Sequence, residues 1–549
     1  MLDRFKSLTF SDAAIDELYK YYSRYSGSVP PTHEDFLEFS RTGNRLNYEN
    51  KYFALRHRIN GTFMLWRAKG GEYLDELREL LFIVCDEETW ALPAHVSNPD
   101  KARTEIDLFA AETAMMLAEI KYLANAIGAL GNELNDRINK EIRERIFIPF
   151  SKNRYHWETA EHNWSAVCAG AIGIAYLRIA PRELPLERIL DSMRAYVSGY
   201  NDDGICLEGI GYWSYGFGFY LYFAQALFEI CGINIIHTDK LQKIALFPQN
   251  VMLSGSTTVT CSDAPEEFAA PEGLMEMIRE FSGSSGSIGS SGGIGIPANV
   301  RTEKTDECGR WAHFIRSYLY PVTETKIPTV PRGEFVFEQS QWYVNRKPHY
   351  AFFIKGGTNG EPHNHNDIGS FIISDENRQL LCDLGAGEYT KDYFNDETRY
   401  NYLCNSSFGH SVPIIDGSGQ RAGAEYRCDG FDCGNSIARV SFGNAYGNGI
   451  SASREMRFSE DKIILHDTFS FADKKIHNII ERFVTTVEPL LTDGGIIIGS
   501  LKMNKTGDIK KETIRAHDGK PRIVYLIDIQ SDNEFEIEFL LMNQKGTAL

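Results

Sequence analysis

From Ser11 to about Tyr320 the apolar positions of the chain recur at helical spacing. Ser11 is placed to cap a helix over Asp12–Arg24 in which Ile15, Leu18, Tyr19 and Tyr22 share a stripe. Gly71–Asp86 sets Leu74, Leu77, Leu80, Leu81 and Val84 at the same spacing. Glu105–Leu130, Glu133–Ile146, Asn163–Ile179, Leu184–Gly199 and Gly216–Cys231 continue the series. Long helices joined repeatedly by short turns predict hairpins stacked as an (α/α) toroid. No residue-level repeat accompanies them, so the toroid follows from helix number alone. The pattern changes at Pro328–Gly333. Beyond it, short runs (Phe335–Phe337, Trp342–Val344, Ala351–Ile354, Ile437–Ser441, Lys462–Leu465, Ile496–Ile498 and Glu534–Phe539) alternate with turn residues. They predict an antiparallel β-sandwich. The expected fold class is therefore α+β and multidomain, with a toroid over residues 1–327 and a sandwich over 328–549. Ser282–Ile296, built only of Ser, Gly and Ile, reads as a flexible linker or loop.

A chain of 549 residues is too long for one core, which agrees with two domains. The net charge of −18 argues against nucleic acid, because no basic excess exists to meet phosphates. An acidic polymer could bind only where Arg, Lys and His gather locally. The ten cysteines are scattered without a CxxC pair, and Cys85, Cys168 and Cys231 lie inside apolar runs, as reduced thiols do. Met1–Phe10 lacks the apolar core and cleavage pattern of a leader. A cytoplasmic protein is expected, or a periplasmic one if a leader has been removed. Gly216–Ile236 is apolar enough to raise the question of a membrane span. It carries Gln225, Glu229 and three glycines, and a buried helix is the better reading.

Three constellations carry candidate chemistry. In Glu361–Phe371 (EPHNHNDIGSF), His363 and His365 stand at i and i+2, which on a strand puts both on one face. Asp383 ends the next apolar run, and the 18 residues from His365 to Asp383 suffice for one strand out and one back. Imidazoles with a carboxylate suit a divalent metal; the plain alternative is surface histidines in a loop. The second constellation is Glu161–Ser165 (EHNWS), opening a helix with a small face of Ala166, Ala169, Ala171 and Gly173. There Asn163 could be no more than a helix cap. The third is Glu208–Gly216 (EGIGYWSYG) at the mouth of the next apolar helix, where aromatics beside glycines could be plain packing.

Taken in chain order, Glu161–Ser165, Glu208–Gly216 and then Glu361–Phe371, with a helical half ahead of a β half, these strings resemble the heparinase II/III-like polysaccharide lyases. The likeness is strongest over Asn163–Gly216 and Glu334–Gly417, and His363–Phe371 followed by Leu380–Gly385 is its most specific part. It implies the toroid-plus-sandwich fold and β-elimination at O4 of a uronic acid. The substrate implied is heparin, heparan sulfate or another glycosaminoglycan, with alginate as the alternative. It further implies that Asn163 hydrogen-bonds the uronate carboxylate, with His162 and His363 beside it as donors or base. Tyr212 or Tyr215 would be the acid, or acid and base together in a syn elimination, Tyr215 being preferred. His410 would join His365 and Asp383 around a metal, Zn²⁺ ahead of Ca²⁺ or Mn²⁺. Where the family sometimes has an acidic residue soon after its first His, this chain has Ser165. Partners expected are an acidic uronate polymer or oligosaccharide, without nucleic acid or membrane, and with self-association left open. A hydrolase using paired carboxylates such as Asp203 and Glu208, or a non-catalytic carbohydrate binder, would be the competing classes.

Overall fold

The computed structural model describes residues 1–236, 238–284, 304–322, 330–473 and 475–542. The anticipated boundary at 327/328 and most of the Ser/Gly run lie outside these residues; Ser282–Ser284 close the helix Glu272–Ser284. Among the described residues, helices extend to Leu319, interrupted by one hairpin (Met252–Ser254, Thr257–Thr258). Longer strands begin at Gly333.

Ser11 caps Asp12–Tyr25, its Oγ accepting from the Ala14 N–H at 3.2 Å. Leu46–Lys69 is a long helix that the apolar pattern does not single out. Its buried residues run from Tyr48 through Leu55, Arg56, His57, Ile59 and Asn60 to Trp66, so no single stripe marks it. The expected Gly216–Cys231 helix begins earlier, at Ile210, which places Tyr212 and Tyr215 inside its first two turns rather than ahead of it. It packs on Asn163–Ile179, and no helix among the described residues is long and apolar enough to cross a membrane.

Among the described residues, three larger antiparallel sheets and a two-stranded one (Thr358–Asn359 with Gly423–Arg427) make the β half. The five-stranded sheet runs in order Gly333–Phe337, Trp342–Arg346, Ala351–Lys355, Phe371–Ser374, Gln379–Leu381. An eight-stranded sheet includes Ile450–Phe458, Lys462–Phe471 and Glu534–Leu541, and a four-stranded one pairs Ile479–Thr485 with Pro521–Ser531. Alternation along the five-stranded sheet explains how the halves join. Trp342, Val344, Ala351, Phe353 and Ile372 belong to the helical core. Tyr343, Phe352, Ile354, Phe371 and Ile373 belong to the sandwich core. Successive side chains point to opposite faces, so this sheet is the middle layer and both its faces are dry. That is why Ala351-Phe-Phe-Ile354 is apolar without interruption. At ~1.5–3 kcal/mol for each large buried side chain, the five residues facing the helices fasten the halves by on the order of 10 kcal/mol.

Candidate active site and metal centre

Asn163 is not a cap: it is the first residue of its helix, His162 holds the N-cap position, and the His162 side chain makes no capping bond. The Asn163 backbone N–H instead donates to Oε2 of Glu208 at 3.2 Å. A carboxylate from the next constellation thus meets one of the unpaired N–H groups of the helix. Asn163 is buried, and Ser165 Oγ turns back to the His162 carbonyl at 2.9 Å. Burial, and then the nearness of His363, lowers the pKa of His162.

His363 and His365 do not lie on a strand. They occupy a loop between Thr358–Asn359 and Phe371–Ser374, and His363 adopts a left-handed backbone (φ 55°). For a residue other than glycine this costs on the order of 1–3 kcal/mol, so the surroundings must impose it. One clamp is Lys355, buried, whose Nζ lies 3.0 Å from Asp367 Oδ1 and 3.6 Å from Glu361 Oε2, at the two ends of the loop. The other is Asp263, which the sequence reading missed. Its Oδ2 accepts from His363 Nδ1 (2.6 Å) and Tyr389 Oη (2.8 Å). Its Oδ1 accepts from Tyr393 Oη (2.6 Å) and His365 Nε2 (3.3 Å). Burial would raise the Asp263 carboxyl, but the His363 and His365 bonds hold it well below the usual range. Burial works against the charged form of His363, and Asp263 outweighs it, leaving the imidazole pKa raised.

Tyr212 stacks on His363, centroids 4.3 Å apart, and its Oη lies 2.7 Å from Tyr389 Oη. Because Tyr389 donates to Asp263, the proton between the phenols belongs to Tyr212. Burial, then the Asp263 charge, keeps Tyr212 protonated far above its ordinary pKa. Glu208 Oε1 lies 3.8 Å from His363 Nε2. The structure therefore gathers Asn163, Glu208, Tyr212, His363 and Tyr389. Tyr215 stands apart: its Oη donates to Glu112, and the Arg310 guanidinium lies 4.0 Å over its ring. Tyr400 and Tyr402, the other tyrosines of this region, bond Asn364 Oδ1 (3.1 Å) and Thr390 Oγ1 (2.7 Å).

His365, Asp383 and His410 offer ligand atoms within 4.8 Å of one another, all buried. The hairpin Phe371–Ser374/Gln379–Leu381 brings Asp383 back to His365. Asp383 Oδ2 lies 3.1 Å from His410 Nδ1, and Oδ1 lies 3.8 Å from His365 Nδ1. Burial would raise Asp383, yet His410 and then His365 keep its pKa low. His410 gives its Nε2–H to the Cys404 carbonyl (2.8 Å) and His365 gives its Nε2–H to Asp263. Each ring so turns its Nδ1 toward Asp383, and both Nδ1 atoms are buried. Two oriented imidazoles and a carboxylate fit a divalent metal.

A cleft of about 690 Å³ opens beside Tyr389, between Ser40–Leu46 of the helical half and Glu388–Asp392, Tyr402 and Arg515 of the β half. Arg41, Arg45, Lys391 and Arg515 line it with Glu388 and Asp392, and Arg41, Arg45 and Arg515 pair with Glu34, Glu49 and Glu388.

Residues 329–490 match the model of the heparinase II/III-like C-terminal domain. No curated protein matches the chain in sequence. Among solved structures, a heparinase III gene product superposes with a TM-score of 0.57 at 13% identity, covering 97% of this chain and 89% of that one. A mutant of heparan sulfate lyase HepC from Pedobacter heparinus gives 0.56 at 11% identity, with coverage of 97% and 89%. The chondroitin AC lyase of Streptomyces coelicolor A3 in complex with chondroitin sulphate gives 0.51 at 10%, with coverage of 97% and 83%. The helical half and the stacked sheets are thus the toroid and β-sandwich of these structures. Residues 329–490 thus carry a heparinase II/III-like C-terminal domain, on a chain whose overall fold is that of these structures.

Proposed function

We propose that the chain is a polysaccharide lyase that breaks 4-O-linked uronic-acid bonds by β-elimination, acting on heparan sulfate, heparin or a related glycosaminoglycan. The observation that carries this reading is the convergence of Asn163, Tyr212 and His363 around Glu208, with Tyr212 bonded to the Tyr389 that lines the cleft. Removing H5 places charge next to a carboxylate that is already ionised, so donors must neutralise that carboxylate. The Asn163 amide and His363 Nε2 take this role. His162, whose lowered pKa keeps it neutral near pH 7, is the base that accepts H5. Tyr212, held protonated, gives its phenolic proton to the departing O4 as the C4–O4 bond breaks.

His365, Asp383 and His410 would hold the metal, with Zn²⁺ favoured by the nitrogen-rich donor set over the all-oxygen shell preferred by Ca²⁺. Bound there, it would supply structural fixation of the loop that presents His363. The neighbours' titles name heparan sulfate and chondroitin sulphate, so glycosaminoglycans head the substrate panel and alginate follows.

The test is incubation with heparan sulfate, heparin, chondroitin sulfate and alginate, reading ultraviolet absorbance of unsaturated uronate. A lyase raises it; new reducing ends without absorbance would mean a hydrolase, and neither signal a binder. Asn163→Ala is expected to stay folded and lose turnover by about 10²–10³, the cost of one preorganised donor. Retained turnover would remove Asn163 from the chemistry.

A further inference from the structure

Asp263 lies outside every motif, yet it is the point where both halves meet the histidine loop. It sits in the segment between the hairpin strand Thr257–Thr258 and the helix Glu272–Ser284. Ser262 has a left-handed backbone (φ 59°) and bonds the Leu207 carbonyl through Oγ at 2.9 Å. Thr260 Oγ1 reaches the Asp383 carbonyl at 3.1 Å. Two motif glycines leave room for the turn. A Cβ on Gly209 (φ 100°) would stand 2.7 Å from Ala264 Cβ, and one on Gly385 (φ 61°) 2.4 Å from the Ala264 carbonyl oxygen. Real Cβ atoms do not approach so closely, so one glycine from each half admits the same turn.

The carboxylate that this turn delivers has four acceptor positions, and four donors fill them. Each oxygen takes one tyrosine and one histidine: Tyr389 and His363 on Oδ2, Tyr393 and His365 on Oδ1. One group therefore sets two tautomers. It holds His365 as the Nε2–H form, with Nδ1 aimed at Asp383, and it holds His363 by Nδ1–H, with Nε2 facing Glu208.

We propose that Asp263 is a positioning residue that couples the His365–Asp383–His410 metal centre to His363 and the Tyr212–Tyr389 pair, so that binding a metal and orienting His363 are one event. The inference rests on the metal reading given above. Outer partners of metal-bound histidines fix ring orientation and basicity, and losing one costs about 10–100-fold in affinity. In an asparagine the amide nitrogen would confront two donors in place of an acceptor.

The test uses the full chain, stripped of metal and titrated with Zn²⁺ against a chromophoric chelator. Wild type is expected to bind one ion; no binding at all would overturn the metal reading and this coupling with it. Asp263→Asn should bind Zn²⁺ about 10–100-fold more weakly; wild-type affinity in the folded variant would overturn the coupling alone. Should Asp263→Asn fail to fold, His363→Ala decides. That variant keeps every ligand and removes the His363 Nδ1 bond from the shared carboxylate. A several-fold change in Zn²⁺ affinity supports the coupling, and unchanged affinity overturns it. Where both variants fold, their effects should be non-additive in the double variant, as for residues in one network; simple additivity would separate them.

Discussion

Tyr212 and Tyr215 stand three residues apart on one helix, Tyr212 half-buried and Tyr215 buried, and the ionisation of both phenols is strongly opposed. Their surroundings differ in kind. Tyr212 faces the seam between the halves, stacked on His363 and hydrogen-bonded to Tyr389 of the β half. Tyr215 faces inward, where Glu112 and Arg310 belong to the helical half alone. Burial pushes the Glu112 carboxyl from its ordinary 4.5 up to about 7, against the pull of Arg310 and Tyr215. Of the two, Tyr212 touches groups from the β half, His363 and Tyr389. Spacing does not separate the two; the contacts favour Tyr212 as the proposed acid over the Tyr215 first preferred, whose hydroxyl is taken by Glu112.

The contrast can be tested from its strongest limb downward. Tyr212→Phe removes only the acid, so turnover should fall by about 10²–10⁴ with KM near its original value. Unchanged turnover in steady-state assays would return the role to another phenol. Tyr389→Phe deletes one hydrogen bond to an ionised carboxylate, worth about 1.5–3 kcal/mol. At ~1.4 kcal/mol per tenfold, turnover should drop about tenfold to a hundredfold; a loss equal to that of Tyr212→Phe would mean the phenols act as one unit. Tyr215→Phe should keep turnover within a few-fold while costing about 1–3 kcal/mol in denaturant unfolding, because Glu112 loses its donor. Loss of turnover without loss of stability would reverse the comparison. Glu112→Gln should leave turnover untouched and change only a slope. Between pH 4.5 and about 7 the folded chain keeps a proton on Glu112 that the unfolded chain has released. Wild-type stability therefore falls as pH rises through that window and levels off above it. Glutamine, which is neutral throughout, should flatten the decline when unfolding is measured at pH 5 and pH 7.5.

The helical half and the strands were legible because amphipathic period and alternation are local properties. The histidine string was legible because its residue types are chemically unusual together. The helix Leu46–Lys69 escaped notice because burial around its whole surface erases the stripe that marks a helix. His363 and His365 were expected on a strand; the loop arises from the Lys355 and Asp263 clamps, which act from residues distant in sequence. Asp263 itself, within Thr260-Cys-Ser-Asp-Ala-Pro265, looks like any turn. Its only trace was indirect, in Gly209 and Gly385, whose missing side chains admit Ala264. Tyr212 and Tyr215 could not be told apart because helical spacing gives them adjoining directions, and only tertiary partners distinguish them.

The middle sheet, dry on both faces, also sets an order for biogenesis. The helices emerge from the ribosome first, and the wall that receives Trp342, Val344, Phe353 and Ile372 stays uncovered until those strands are synthesised. The opposite face, with Phe352 and Phe371, must then wait for strands as late as Glu534–Leu541. Nascent chains pass through two successive stages with a bare apolar surface, each open to self-association. A fragment ending near residue 327 is therefore expected to aggregate or recruit chaperones, even though its helices are all present.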